Sequence, residues 1–284
     1  MKQLRTYIAG LVCGVATSLV AANPDDVTVA QISDTHLGEK HSPQAAANLR
    51  EVVEMVNARH PDAVIISGDI GENQESREQA KMILKDLAAP VYYVPGNHEF
   101  HDTNGLAAYR KQFGPDYYRI QVKNVEVLAL DSQLLGNYER FEAKKSPPLS
   151  AGMEAESAKM LDWMAAQAAP TKGKVVIAVQ HIPLFRDGGF PDGKPYWTVN
   201  EPYARREADL LHRLGIKHLL AGHWHNGRVF EQDGITIHVA PATSWLPLGG
   251  ELGFALHSIT GGGVVHTDFV PLTNTVPSPD PRSN

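Results

Sequence analysis

The chain has 284 residues, of which 43% are hydrophobic and 20% are charged, and its formal net charge at pH 7 is −6. These values are ordinary for a globular protein, and such an acidic balance argues against the basic surface that nucleic-acid-binding proteins present. The single cysteine, Cys13, lies close to the N-terminus. Disulfides and thiol ligands are therefore excluded from the rest of the chain, where any metal must be held by nitrogen and oxygen.

Residues 1–22 have the pattern of a secretory signal peptide. Lys2 and Arg5 form a basic start, and an apolar stretch without charges then runs to small residues before Asn23. We therefore expect a secreted or periplasmic protein, with no stable membrane anchor after cleavage. An uncleaved anchor is the alternative, although the apolar stretch is short for a membrane span. Loss of the two basic residues would change the formal charge from −6 to −8.

Up to residue 225, segments rich in β-formers alternate with segments of helical periodicity. The predicted strands are 29–32, 63–66, 91–94, 118–122, 125–130, 175–179 and 218–220. The predicted helices are 45–59, 75–87, 106–113, 153–166 and 202–214. This alternation indicates an α/β layered fold with mixed sheets.

After residue 225 the pattern becomes entirely β. Strands are predicted over 228–231, 235–240, 254–259 and 264–270, with turns at Asp233-Gly234 and at 261–263. Residues 272–284 are rich in small polar residues and proline, and we predict a disordered tail there. One domain over 23–271 is expected, because the polar motifs between residues 34 and 225 must meet at one place to form a site.

Five short polar motifs each follow a predicted strand: Asp34-Thr35-His36, Gly68-Asp69, Gly96-Asn97-His98-Glu99, His181, and Gly222-His223-Trp224-His225. Strand ends are where α/β sheets place their chemistry. Carboxylate, imidazole and amide oxygen ligands suit divalent or trivalent first-row metals, and these side chains are too many for one ion. Asp69 is the natural shared ligand, so the sequence predicts a dinuclear metal site. An extended backbone at 223–225 would put both imidazoles on one side.

The order of these motifs resembles that of the calcineurin-like metallophosphoesterase superfamily, over residues 34–225 and through the later strands to about residue 270. The resemblance implies an α/β fold with two stacked mixed β-sheets flanked by helices. It also implies two divalent or trivalent ions (Fe, Mn or Zn). The implied ligands of one ion are Asp34, His36, Asp69 and His225, and those of the other are Asp69, Asn97, His181 and His223.

The same resemblance implies a catalytic role for His98. The equivalent histidine faces the substrate and helps to protonate the leaving oxygen or to hold the transition state, and Asn97 lies beside it. Glu72 matches the carboxylate that pairs with this histidine in protein-phosphatase-like members, and a solvated loop acid is the equally weighted alternative. Glu99 is expected to accept backbone N–H bonds in its turn.

A Gly/Pro-rich loop with several aromatic residues follows His181, over residues 185–199. A loop of this length is usually functional or disordered. We expect it to form a wall of the substrate pocket, with Arg186 in contact with a phosphate; a packed surface loop is the alternative. Residues 243–245 are a candidate for the opposite wall.

The expected function is hydrolysis of small-molecule phosphodiesters by a metal-bound hydroxide, as the resemblance to bacterial cyclic-nucleotide and glycerophosphodiester phosphodiesterases implies. A phosphomonoesterase like the acid phosphatases, or a metal-binding module without activity, are the alternatives. Glu72 occupies the position where purple acid phosphatases carry a tyrosine, which disfavours the purple iron type. The expected partner is a small phosphoester, nucleic acid is not expected, and the sequence does not indicate the oligomeric state.

Overall fold

The computed structural model describes residues 26–167 and 174–274. The predicted signal peptide (1–22) and residues 275–284 of the predicted tail lie outside the described residues. In the part of the chain that is described, no helix is long and apolar enough to cross a membrane.

The described residues form eleven strands and five α-helices. The strands are β1 (Val27–Ile32), β2 (Ala63–Ser67), β3 (Val91–Val94), β4 (Tyr118–Val122), β5 (Val125–Ala129), β6 (Val175–Val179), β7 (His218–Ala221), β8 (Arg228–Gln232), β9 (Ile235–Val239), β10 (Gly253–Ile259) and β11 (Val265–Pro271). The helices are α1 (Ala45–Asn57), α2 (Gln74–Leu84), α3 (Thr103–Phe113), α4 (Ala151–Ala166) and α5 (Tyr203–Arg213). Two 3-10 helices span Ser132–Leu134 and Pro195–Trp197.

The strands form two mixed sheets. One has five strands in the order β11-β10-β1-β2-β3, and the other has six in the order β4-β5-β6-β7-β9-β8. Strands β1, β2 and β3 are parallel, as are β5, β6, β7 and β9, while β10, β11, β4 and β8 run antiparallel to their neighbours. The expected α/β fold with two mixed sheets and flanking helices is confirmed.

Side chains alternate between the two faces of each strand, so the two sheets have one apolar layer between them and one on each outer face. In β2, Ala63 and Ile65 face the layer between the sheets, whereas Val64 and Ile66 pack with α1 and α2. Helices α3, α4 and α5 cover the outer face of the six-stranded sheet in the same way. Strands that are buried on both faces read as continuous apolar runs, which is why the sequence identifies them readily.

A chain of hydrogen-bonded polar side chains crosses the layer between the sheets; we call it the inter-sheet chain. His238 Nδ1 and His257 Nδ1 both lie 2.8 Å from Thr267 Oγ1, and His257 Nε2 lies 2.9 Å from Gln31 Oε1. Burial lowers the pKa of His238 to about 3, aided by His218, and it lowers the pKa of His257 well below its usual value. The chain is thus uncharged at neutral pH and joins β9 of one sheet to β10, β11 and β1 of the other.

The predicted boundary of the C-terminal tail at residue 272 is wrong. Leu272 is buried, and its N–H donates to the carbonyl of Leu252 at 2.9 Å. The backbone N–H groups of Thr273 and Asn274 donate to the carboxylate of Glu51 at 2.7 and 3.1 Å. One apolar anchor and one carboxylate acceptor therefore extend the ordered domain to residue 274.

Candidate metal centre

The seven predicted metal ligands lie at one edge of the sandwich, and both sheets contribute. The five-stranded sheet supplies the residues that follow β1, β2 and β3, and the six-stranded sheet supplies those that follow β6 and β7. The carboxyl ends of these five parallel strands point to this edge, as the rule for ligand sites in α/β sheets requires.

A first group of donors comprises Asp34, His36 and His225, whose ligand atoms lie within 4.8 Å of one another. His225 Nε2 is 3.2 Å from Asp34 Oδ1 and 3.1 Å from His36 Nε2. His36 Nε2 is also 3.5 Å from Asp69 Oδ2. Three buried side chains and a fourth, the Asp69 carboxylate, therefore converge on one small volume.

A second group comprises Asp69, His181 and His223, also within 4.8 Å of one another. His181 Nε2 lies 3.1 Å from Asp69 Oδ2, the same oxygen that approaches His36. Within the described residues, His181 Nε2 and Asn97 Oδ1 are buried without a hydrogen-bond partner. Buried polar atoms in proteins are usually paired, and these two unpaired atoms lie among the other candidate ligands, so they fit a site built to bind a cation.

The outward nitrogens of three of the four ligand histidines are occupied by backbone carbonyls. His181 Nδ1, His225 Nδ1 and His223 Nε2 face the backbone carbonyls of Ser67, Trp245 and Tyr196 at 2.7, 2.8 and 3.0 Å. Because a carbonyl only accepts, each of these nitrogens must carry a hydrogen, and in the neutral imidazole, the form that binds a metal, the lone pair is left on the inward nitrogen. Such outer partners set the tautomer of metal-binding histidines.

The two buried aspartates of the site favour their charged forms. Burial raises the pKa of Asp34 and of Asp69, but neighbouring imidazoles outweigh it and hold both values below the usual range. Burial likewise lowers the pKa of His181, yet Asp69 and Asp34 outweigh it and raise that pKa to about 9. Two buried carboxylates that stabilise positive charge on a neighbour provide the electrostatic environment that a bound cation requires.

Glu72 connects the candidate ligands to the candidate catalytic residue. Its Oε1 lies 2.7 Å from His36 Nδ1 and its Oε2 lies 2.8 Å from His98 Nδ1. Burial raises the pKa of Glu72, but the hydrogen bonds from both imidazoles lower it to about 2. The structure therefore places Glu72 beside His98, in agreement with the interpretation that the two residues pair. It also shows a bond to His36 that the sequence did not indicate.

His98 lies at the solvent side of the cluster. Its side chain is 31% exposed, whereas that of His36 is 1% exposed. Burial lowers the pKa of His98, but Asp69 and Glu72 outweigh it and raise the pKa to about 10. The backbone N–H of His98 donates to Asp69 Oδ1 at 2.9 Å. His98 is thus the imidazole that an incoming substrate can reach.

The expectation for Glu99 is confirmed. Its carboxylate accepts three backbone hydrogen bonds, from Asp69 and Ile70 at 2.9 Å and from Gly96 at 2.7 Å. It thereby ties the turn after β3 to the turn after β2. Asp69 and Asn97 are held in register by this one buried side chain.

The backbone at residues 223–225 differs from the prediction. His223 and His225 have φ values of 70° and 53°, so the segment is a left-handed bend and not an extended strand. Both imidazoles still face the site, while Trp224 is fully buried and stacks on Phe230. Asp34, His36 and Asp69 also have positive φ. Non-glycine residues rarely adopt this conformation, and its cost of about 1–3 kcal/mol each is typical of functional sites.

Aromatic residues flank the metal centre on two sides. Trp245, from the segment proposed as one wall, packs edge-on against His225 with ring centroids 5.3 Å apart. Tyr196, from the 185–199 loop, packs against His223 at 4.7 Å. Arg186 belongs to the same loop, where it donates to the carbonyl of Lys194 at 3.0 Å. Its contact with a phosphate stays a prediction.

The chain is similar to several known proteins. A similar protein from Fibrobacter succinogenes, named probable cyclic nucleotide phosphodiesterase, is 24% identical over 229 residues, which are 76% of this chain and 79% of the relative. The mouse serine/threonine-protein phosphatase CPPED1 is 25% identical over 235 residues, or 76% and 70% of the two chains. A Danio rerio dimetal phosphatase structure shares the fold, with a TM-score of 0.63, 17% identity, and coverage of 87% of this chain and 99% of that one.

The model of the calcineurin-like phosphoesterase family matches residues 27–227. This range is more than half of the chain and contains every residue of the two donor groups. The chain therefore belongs to the calcineurin-like phosphoesterase family and is a metal-dependent phosphoric ester hydrolase.

Proposed function

We propose that the protein hydrolyses small-molecule phosphodiesters with two metal ions. The observation that carries this proposal is the position of Asp69 Oδ2, which lies 3.5 Å from His36 Nε2 and 3.1 Å from His181 Nε2. One carboxylate thus serves both donor groups. Asp34, His36, Asp69 and His225 would hold one ion, and Asp69, Asn97, His181 and His223 would hold the other. The all-nitrogen-and-oxygen donor set suits Fe, Mn or Zn.

Two such ions, when bound, hold a phosphoryl group between them and lower the pKa of a coordinated water. The remaining chemistry belongs to the chain itself. His98, at the solvent side and fixed through Nδ1 by Glu72, presents Nε2 to the leaving oxygen and can donate a proton there. Proton transfer by a positioned side chain contributes typically about 10²–10⁴-fold. Asn97 and His98 would also contact the phosphoryl oxygens.

Diesters are preferred as substrates for two reasons. The relative from Fibrobacter succinogenes carries the name of a cyclic nucleotide phosphodiesterase. In addition, aromatic side chains stand on two sides of the centre, Tyr196 beside His223 and Trp245 beside His225. An aromatic side chain on each side of the centre could contact one of the two organic groups of a phosphodiester. The second candidate is a phosphomonoesterase, which the similarity to CPPED1 favours.

The proposal is tested by reconstituting the purified protein with Mn²⁺, Fe²⁺ or Zn²⁺ and assaying paired substrates. Bis-p-nitrophenyl phosphate and p-nitrophenyl phosphate share a leaving group and differ in the second ester. Cyclic nucleotides and glycerophosphodiesters then test natural diester classes. A higher kcat/KM on the diesters, with two metals per chain by elemental analysis, is expected. A higher kcat/KM on the monoester would favour the second candidate, and one metal per chain at full activity would overturn the dinuclear assignment.

A further inference from the structure

Tyr196 lies in the Pro195–Trp197 3-10 helix, within the connection from β6 to α5. Its backbone is fastened to the segment that carries two of the candidate ligands. The Tyr196 carbonyl accepts from His223 Nε2 at 3.0 Å, and the Trp197 carbonyl accepts from Trp224 Nε1 at 2.8 Å. The Tyr196 ring also packs edge-on against Phe141 at 5.2 Å. These contacts hold the phenol in one place beside the metal centre.

The hydroxyl of Tyr196 is placed to orient Asn97. Asn97 Nδ2 donates to Tyr196 Oη at 3.2 Å. With its nitrogen directed to Tyr196, the carboxamide leaves Oδ1 free, and Oδ1 is among the buried atoms that lack a partner in the described chain. The amide oxygen is the end that can bind a cation, whereas the NH₂ end would be repelled. In this arrangement the bond to Tyr196 stabilises the orientation of Asn97 that presents Oδ1 to a cation.

The same hydroxyl retains an unused donor. A phenol oxygen accepts one hydrogen bond and donates another, and Oη already accepts from Asn97. Within residues 26–167 and 174–274, no acceptor for the Tyr196 O–H is found. In this arrangement the hydroxyl hydrogen of Tyr196 is not used by Asn97. It lies next to a candidate metal ligand, so it is available to an oxygen of a bound substrate.

We propose that Tyr196 has two roles in this site, the second of which depends on the proposed function. It is a positioning residue that turns the Asn97 amide oxygen toward the second metal. It also donates its hydroxyl hydrogen to a non-bridging oxygen of the phosphoryl group. Such an oxygen gains negative charge as the reaction proceeds, and a donor already aimed at it stabilises the transition state.

The test is Tyr196→Phe, which keeps the ring contacts and removes only the hydroxyl. Tyr138→Phe is the matched control, because Tyr138 is buried with its ring centroid 6.4 Å from that of His223 and its hydroxyl has no partner in the described chain. Metal affinity is measured by titrating the metal-free variants with Mn²⁺. In Tyr196→Phe, the second site, which contains Asn97, should lose affinity by roughly 10-fold or more, the usual effect of losing an outer partner. The control should keep the affinity of the unmodified protein.

At saturating metal, Tyr196→Phe should also lose roughly 10-fold or more in kcat/KM on a phosphodiester, the loss expected for a missing hydrogen bond to a charged group. The loss should shrink on the matching phosphorothioate, because sulfur is a weak acceptor. Unchanged Mn²⁺ affinity would overturn the positioning role, and unchanged kcat/KM would overturn the donor role. If the unmodified protein itself hydrolyses no phosphoester with any metal, the proposed function and the donor role both fail, while the Mn²⁺ titration still decides the positioning role.

Discussion

Asp69 is the residue on which both donor groups depend. We expect Asp69→Asn to lower metal content at both positions and to abolish turnover, because an amide supplies only one neutral oxygen where a carboxylate supplies two charged ones. Elemental analysis and a phosphodiester assay measure the two effects. Asp131→Asn is the control, since Asp131 is also buried at the end of a strand but lies outside both groups. Two metals and near-normal activity in Asp69→Asn would refute the shared-ligand assignment.

His98 separates catalysis from metal binding. His98→Ala should keep both metals and lose about 10²-fold or more in rate with alkoxide leaving groups, because it removes the proton donor. The loss should be much smaller with p-nitrophenolate, which departs without protonation. Steady-state rates on the two leaving-group classes measure this ratio. Equal losses would leave His98 an electrostatic role only, and a loss of metal would make it a ligand.

Glu72→Gln should have a wider effect than its distance from the substrate suggests. Its carboxylate accepts from His36 as well as from His98, so the variant should lower both metal affinity and the leaving-group effect. Sequence spacing indicates the pairing with His98 but not the bond to His36. The carbonyl partners of His181, His223 and His225 are equally invisible in the sequence, because a backbone oxygen carries no side-chain signature.

Among the elements, the tight turn after β2 lies directly against His181, which follows β6 of the other sheet. Gly68 has φ +93°, and a Cβ there would lie 2.5 Å from His181 Nδ1. We expect Gly68→Ala to displace His181, to weaken the second metal site and to destabilise the fold by roughly 2 kcal/mol or more through strain and overlap. Gly215→Ala is the control, since Gly215 has φ +70° with nothing within 4 Å of its Cβ. Similar losses of metal in the two variants would contradict the contact argument.

At the element scale, much of the architecture follows from the sequence. Strands such as β2 and β6 are buried on both faces, so their apolar runs stand out between polar turns. The order of the strands and the pairing of β1 with both β2 and β10 depend on contacts that are distant in sequence. The left-handed bend at His223 and His225 also could not be predicted, because tertiary contacts, such as the burial of Trp224 against Phe230, override the local preference for φ below zero.

Glu207 makes the stability of the whole molecule depend on pH. It is fully buried on α5 without a well-formed hydrogen bond in the described chain, and burial raises its pKa to about 8, an effect that Gln180 offsets only in part. Below pH 4.5 Glu207 is protonated in both the folded and the unfolded chain, so its raised pKa does not affect stability. As the pH rises from 4.5 to about 8, only the unfolded chain loses the proton, and the folded state is progressively destabilised. Glu207→Gln should therefore raise the free energy of unfolding at pH 8 by roughly 3–5 kcal/mol, with little change near pH 4.5.

Denaturant unfolding at several pH values measures this difference. Asp209→Asn, an exposed site on the same helix, is the control and should leave the pH dependence unchanged. If the difference between Glu207→Gln and the unmodified protein stays constant from pH 5 to pH 8, Glu207 remains charged in the folded state and the argument fails.

Export concerns the whole chain and remains a prediction from the sequence. The basic start and apolar stretch up to Ala22 lead us to expect a mature N-terminus near Asn23 and a protein located outside the cytoplasm. N-terminal sequencing of the native protein and cell fractionation measure both. A full-length chain with Met1 intact in the cytosol would contradict both expectations.

The inter-sheet chain makes the stability of the protein sensitive to acid. In the folded state His238 and His257 stay neutral well below pH 6.5, whereas in the unfolded chain both take up protons near that value. Falling pH therefore favours the unfolded state, which binds up to two more protons at these residues than the folded state does. The candidate ligands also come from both sheets. The six-stranded sheet supplies three imidazoles, and the five-stranded sheet supplies the other four ligands. Acid should thus release metal and open the sandwich in one cooperative event, so that a drop in pH ends both the activity and the structure together.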